Sequence, residues 1–424
     1  MTYPRLLIVG RVAWTTSQST LSSVFQGYPS DDLAYICIET QEPDFNRCAN
    51  HFQISEIALI SRMFKWKTVT GRRREPSTLT QEELSLEQTE ASTMGWVRKH
   101  RSSLFLYIRE LLWRFGGWKS KELKKFIHDF NPDVLFFVGD PLPLMNRLQR
   151  YVLSQTKVPA TIFMMDDIWS YKNGHTVMRY LLRREVKRLV PACKAHFAIS
   201  EMMKREYDEV FKINCTILTK GVKAKEYQPD FTRLHRPLRM VYTGKLIYGR
   251  DKSLAKVAEA LATINTDGKI KAELHIYTQT EITPQINNAL NREGCCYLHK
   301  PVPYMEVAKI LDEADIVLLV ESLEKKQKYI ARLSFSTKVT DYLGSGKCIL
   351  AVGAEDIAPI EYLKKNEAAQ ICTSYETIYE QVIDLIKHQG KISQFAQNAY
   401  LLGTSKHSNE LMSKRLFDVL RITK

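Results

Sequence analysis

Two kinds of apolar segment alternate along the chain. Short, nearly unbroken runs read as strands: RLLIVG (5–10), LAYICI (33–38), VLFFVG (134–139), ATIFMM (160–165), HFAIS (196–200) and TILT (216–219). A second series holds RMVYTG (239–244), ELHIYT (273–278), DIVLLV (315–320), CILAVG (348–353) and AQIC (369–372). Between most of them lie stretches with apolar residues at helical spacing, such as DKSLAKVAEALATI (251–264) and PYMEVAKILDEA (303–314). Strands without polar alternation are covered on both faces, and strand–helix alternation predicts parallel sheets joined by crossover helices. The polar segment 223–240, broken by Pro229 and Pro237, separates the two series. The pattern therefore predicts an α/β chain of two Rossmann-like, doubly wound domains facing a cleft, at 1–230 and 231–405, followed by an amphipathic end segment at 406–424.

One region breaks the alternation. Residues 61–125 begin with RMFKWKTVTGRRREPS, pass through an acidic stretch, and end in WVRKHRSSLFLYIRELLWRFGGWKSKELKKF. Leu104, Phe105, Ile108, Leu111, Leu112 and Phe115 recur there at helical spacing among many cations. A basic amphipathic helix flanked by tryptophans suits an anionic bilayer, so Trp96, Arg109, Trp113, Arg114 and Trp118 are expected at a membrane surface. The competing reading is an ordinary domain helix whose apolar stripe is core.

Composition narrows the setting. Lys and Arg number 61 against 47 Asp and Glu, giving a net charge of +14 that favours anionic partners. The eight cysteines form no C-x-x-C, which suits reduced thiols in a cytosol rather than a disulfide framework. The opening MTYPRLLIVGR reads as a strand instead of a signal peptide, and no apolar run approaches the roughly 20 residues of a membrane span.

Two strand-to-helix corners carry candidate chemistry. In RLSFSTKVTDYLGSGKCILAVG (332–353), a helix starting near Ser336 would offer free N–H groups and a positive dipole end to phosphate. Ser336 and Thr337 can cap that helix or bond a phosphate oxygen. Lys338 adds a cation in the first turn, where the dipole disfavours one unless an anion is present. Asp341 follows on the same face. The Gly344-Ser345-Gly346-Lys347 run is a turn and not a phosphate loop, since Asp341 stands where such a loop needs glycine and a strand follows. In YTGKLIYGRDKSL (242–254), Gly244 permits close backbone approach, and Lys245, Arg250 and Lys252 gather near one strand end.

These segments resemble the donor domain of retaining GT-B glycosyltransferases of the glycosyltransferase family 4 (group 1) type. RMVYTGKLIYGRDKSL is similar to that family's strand-Gly-Arg-Leu…Lys-Gly segment. LHKPVPYMEVAKILDEADIVLLV and FSTKVTDYLGSGKCILAVG resemble its later blocks, and the likeness runs in order over roughly 190–355. The resemblance implies a GT-B fold whose last helix crosses back to the N-terminal domain. It implies a nucleotide-diphosphate-sugar donor, with Lys245 or Arg250 and Lys252 neutralising the diphosphate as it leaves. Ser336, Thr337 and Lys338 would hold the distal phosphate or sugar, and Asp341 the ribose. In the first domain, Thr16, Ser17, Ser19 and Thr20 of WTTSQSTL, with Asp166 and Asp167 of MMDDIWS, would face the acceptor or donor sugar, and Asp167 is a catalytic candidate.

The chain also departs from the family. Its first paired glutamate would fall near Leu333, its glycine-rich N-terminal loop is Ser/Thr-rich here, and its N-domain histidine has no match; neither His175 nor His196 is promoted to that role. No Asp-x-Asp occurs, so lysine and arginine are expected to do what a metal does in GT-A enzymes, and no metal or other cofactor is expected. The expectation is a metal-independent glycosyltransferase acting, with retention, on a lipid-linked or saccharide acceptor in surface polysaccharide (capsule, exopolysaccharide or O-antigen) assembly. It would sit in the cytoplasm at the inner face of the plasma membrane, with no nucleic-acid partner. The alternatives are a sugar-nucleotide epimerase of the same architecture and a catalytically silent basic module binding membrane or nucleic acid.

Overall fold

The computed structural model describes residues 3–15, 19–39, 41–65, 67–75, 103–170, 176–266 and 269–424. The chain divides into two compact units, one of residues up to Leu218 together with Ser413–Lys424, the other Thr219–Met412.

Unit 1 is built on strands β1 (Leu6–Val9), β2 (Leu33–Cys37), β3 (Asn50–Ile54), β4 (Gly71–Arg74), β5 (Val134–Val138), β6 (Ala160–Met164), β7 (Ala195–Ala198) and β8 (Thr216–Ile217). They form one sheet in the order β4-β3-β2-β1-β5-β6-β7-β8, parallel except for the antiparallel edge pair β3–β4. Its helices are α1 (Ser19–Val24), α2 (Glu56–Phe64), α3 (Ser103–Phe115), α4 (Lys121–Phe130), α5 (Pro143–Gln155), α6 (Thr176–Leu189) and α7 (Glu201–Phe211). The expected strands are present, and every residue of β1, β2 and β6 is buried, as coverage on both faces demands. Strands β3, β4 and the later β11 were not foreseen.

Unit 2 holds β9 (Leu238–Thr243), β10 (Ala272–Tyr277), β11 (Cys296–His299), β12 (Ile316–Val320), β13 (Cys348–Val352) and β14 (Gln370–Cys372), all parallel, in the order β11-β10-β9-β12-β13-β14. Helices α8 (Arg250–Ile264), α9 (Pro284–Leu290), α10 (Tyr304–Asp312), α11 (Lys325–Ala331), α12 (Thr337–Ser345), α13 (Ala358–Lys365), α14 (Tyr375–Lys387) and α15 (Gln389–Lys406) follow in turn. Leu254, Val257 and Leu261, at helical spacing on α8, pack into the same core as Met240, Leu274 and Leu318 of the sheet.

The helix ends follow ordinary capping chemistry. Ser55, Ser120, Ser200 and Ser374 each accept a backbone N–H at the start of a helix, worth about 1 kcal/mol apiece. Gly346 ends α12 in the left-handed conformation (φ 71°), and a Cβ there would lie 2.9 Å from Pro229. The glycine–serine run after Leu343 is thus a helix terminus.

The final helix, α16 (Asn409–Thr423), places its last residues in unit 1. Phe417 stacks on Tyr28, and Lys424 pairs with Asp133 at 3.0 Å. All eight cysteines are free and buried. No helix among the described residues is long and apolar enough to cross a membrane.

Candidate active site

In an open parallel sheet, ligands gather beyond the carboxyl ends of the strands where strand order reverses. In unit 2 that point lies between β9 and its neighbour β12, because β9 connects outward to β10 while β12 begins the other half. The two corners singled out in the sequence meet there. The Lys338 ammonium donates to the Thr243 carbonyl at the end of β9 and lies 5.2 Å from the Tyr242 ring centre. A Cβ on Gly244 would be 2.2 Å from that ammonium, so the glycine leaves room for it.

Arg250 opens α8 and reaches the same place. Its Nη2 donates to Glu321 Oε2 at 2.9 Å, and Glu321, buried just past the end of β12, is a residue that the sequence did not single out. Burial works against the Arg250 charge, but the Glu321 carboxylate and the Tyr242 hydroxyl more than offset it and hold its pKa above the ordinary value. Lys338 is affected oppositely: burial, then the nearby Arg250 charge, pushes its pKa down to about 8. Burial and the neighbouring arginine both disfavour the Lys338 charge, and an incoming anion would favour it.

Ser336 caps α12, its hydroxyl accepting the Lys338 N–H at 3.4 Å, and Thr337 begins the helix. Lys245 is exposed, with no ion pair among the described residues. Its carbonyl accepts the Tyr242 hydroxyl at 2.9 Å, which fixes the loop. The remaining donor-side candidates are engaged. Lys252 points to Glu324, 2.8 Å away and itself bonded to Tyr375, so its ammonium is held by a surface carboxylate. Asp341 is paired with Lys220, a residue no sequence signal marked, because 121 positions separate the partners. Leu333 is fully buried and serves the core.

Unit 1 reverses strand order between β1 and β5. Arg11, just beyond β1, meets buried Asp140, just beyond β5, at 3.0 Å, and Asp140 also accepts the Leu142 N–H at 3.0 Å. Burial is the main reason the Asp140 pKa is pushed up to about 6, against the lowering effect of Arg11. Neither residue was singled out in the sequence; both stand singly after strands and form no motif. Asp166 is exposed at the end of β6. Asp167 is buried and closes its own loop, accepting from Trp169 N, Ser170 N and the Tyr207 hydroxyl at 2.8–3.0 Å. Those three donors share one oxygen and tie Asp167 into its own loop. Ser19 and Thr20 lie half-buried in α1, whereas Thr16 and Ser17 fall outside the described residues.

The membrane expectation needs correction in its residues. Trp113 is fully buried with its indole N–H donating to Glu56 at 2.6 Å, and buried Trp118 donates to the Trp113 carbonyl. Arg109 pairs with the same Glu56 at 2.7 Å. Trp113 and Arg109 tie α3 to α2, and the two buried tryptophans cannot meet a bilayer; Arg109 is half-buried, Arg114 is exposed, and Trp96 lies outside the described residues.

No protein-family model matches the chain, and no curated protein sequence matches it. Solved structures do. Anabaena HepE in complex with UDP and glucose aligns over 99% of this chain and 100% of its own, with 9% identity and a TM-score of 0.62. The UDP-forming α,α-trehalose-phosphate synthase of Burkholderia vietnamiensis aligns over the same shares, with 9% identity and a TM-score of 0.59. A Listeria monocytogenes protein thought to be a UDP-N-acetylglucosamine 2-epimerase aligns over 99% of this chain and 96% of its own, with 11% identity and a TM-score of 0.52. The chain is similar to each in fold: it has the two-domain α/β architecture, with parallel sheets, of GT-B glycosyltransferases.

Proposed function

We propose that the chain is a GT-B glycosyltransferase that takes its sugar from a nucleotide diphosphate. The observation that carries this reading is the convergence of Lys338, Arg250 and the N-terminus of α12 at the β9/β12 switch point. Negative charge grows on the diphosphate as the glycosidic bond breaks, so cations fixed around it stabilise the transition state more than the bound donor. Lys338 and Arg250 supply fixed charge, exposed Lys245 a mobile one, and the capped helix end its dipole. Glu321 aims the Arg250 fork. Asp341 is free to take ribose hydroxyls only if Lys220 shares it. The donors named for the structural neighbours support a uridine nucleotide. Transfer with retention, a lipid-linked or saccharide acceptor, and a place in surface polysaccharide assembly at the cytoplasmic face of the plasma membrane complete the reading. No metal is required by it, since side-chain cations neutralise the leaving group.

Calorimetric titration with UDP-, GDP- and dTDP-sugars tests it. Binding of one donor, weakened at least about tenfold in Lys338→Ala, is expected. Equal affinity in wild type, Lys338→Ala and Arg250→Ala would remove the diphosphate from this corner. A sugar-nucleotide epimerase shares the architecture, and the product distinguishes the two: free UDP with a new glycoside for transfer, a changed UDP-sugar for epimerisation.

A further inference from the structure

The face of α3 that points outward is apolar. Glu56 of α2 bonds Arg109 and Trp113 of α3, and a Cβ on Gly116 would lie 3.3 Å from Leu59. The two helices therefore run side by side in the same direction. With about 100° of turn per residue, Ile60 and Phe64 on α2 and Ile108, Leu111 and Phe115 on α3 fall on the same side of the pair, opposite the core. Phe64 is 84% exposed and Phe115 76%, with Met63 at 66% and Leu111 at 56%. Scattered surface hydrophobics are ordinary, but five large ones aligned on two adjoining helices, with Met63 beside them, are a patch of the kind that marks an interaction surface.

Among the described residues of the two helices and their flanks, the outward charges have one sign. The carboxylates of the two helices, Glu56 and Glu110, are buried, and pair with Arg109 and Arg147. What remains outward is cationic: Lys65 and Lys67 past the end of α2, Arg114 on α3, and Lys119, whose ammonium lies over the Trp118 and Tyr151 rings. An apolar ridge rimmed by cations matches a bilayer of anionic lipid, with rings in the acyl boundary and ammonium groups at the phosphates.

We infer that the α2/α3 ridge, led by Phe64 and Phe115, seats the protein on an anionic lipid surface. This deepens the membrane part of the proposed function but does not depend on glycosyl transfer. It replaces the tryptophans, which hold the ridge together from beneath.

The test is co-sedimentation of the full chain with vesicles of phosphatidylcholine alone or containing phosphatidylglycerol, at low and high salt. Wild type is expected to pellet only with the anionic vesicles and to be partly released by salt. Phe64→Ser/Phe115→Ser should lower partitioning at least about tenfold. Lys65→Gln and Arg114→Gln should each lower it about fivefold at low salt. Tyr180→Ser, which removes a comparably exposed ring from α6, should change nothing. Wild type that stays in solution, or a double serine variant that pellets like wild type, overturns the inference. Calorimetry with UDP on the same samples separates the two proposals. Lost pelleting with unchanged UDP binding isolates the ridge, whereas intact pelleting without UDP binding defeats only the donor assignment.

Discussion

The two sheets reverse strand order in the same way, yet they furnish the reversal point differently. Around the β1/β5 reversal, one arginine meets two carboxylates: Arg11 lies 3.0 Å from buried Asp140 and 3.7 Å from Glu39, so no cation is in surplus. Beyond β9 and β12, Arg250 and Glu321 form a comparable pair, and Lys338 is added at an unfavourable position next to the arginine. A fold of this kind supplies a crevice at each reversal; on the function we propose, the surplus cation in unit 2 fits that crevice to the diphosphate.

Breaking each pair should separate the roles. Arg250→Ala leaves Glu321 buried without its partner, so a loss of about 3 kcal/mol in stability is expected, together with roughly a hundredfold loss in UDP affinity. Arg11→Ala should destabilise similarly through Asp140 while leaving UDP affinity within about twofold; thermal unfolding and calorimetry read both. Loss of UDP binding in Arg11→Ala would erase the contrast.

Acid titration sharpens it further. The folded chain holds the Asp140 proton more tightly than the unfolded chain does, so stability should fall as pH rises from 3.8 to about 6, by up to about 3 kcal/mol. Asp140→Asn should flatten that slope in urea unfolding curves. Lys338 predicts a different window. Its charged form binds the diphosphate, and the free protein surrenders that proton above about pH 8. UDP affinity should therefore decline above about pH 8, with Lys338→Arg abolishing the decline. Lys252→Ala should give the smallest change, within about 0.5 kcal/mol in stability and about twofold in affinity, because its pair with Glu324 is exposed.

Much of this was legible in the residues themselves. Strands buried on both faces announce themselves as unbroken apolar runs, and LLIV, ATIFM and CILAV were placed within a residue or two. The strands that escaped reading are NHFQI, GRRR and CYLH, of which GRRR and CYLH lie at sheet edges. Edge strands need no unbroken apolar run and carry arginines here: Arg73 lies over the Phe126 ring and Arg74 bonds Gln53. The start of α12 was readable because hydroxyl caps and a misplaced lysine are local signals. Glu321 was not, since it reaches Arg250 across 71 positions. For α3, periodicity revealed an apolar stripe without revealing which side faced water. Only Trp113, locked onto Glu56, settles that.

The distribution of the thiols gives the molecule an internal clock. Cys37, Cys48, Cys193 and Cys215 lie in unit 1, and Cys295, Cys296, Cys348 and Cys372 in unit 2, four hidden sulfurs on each side. A maleimide dye can reach none of them until its surroundings open, so mass spectrometry of a labelling time course should rank the two halves by how often each one breathes. Saturating nucleotide should slow only the four in the half that grips it, with no engineered probe required.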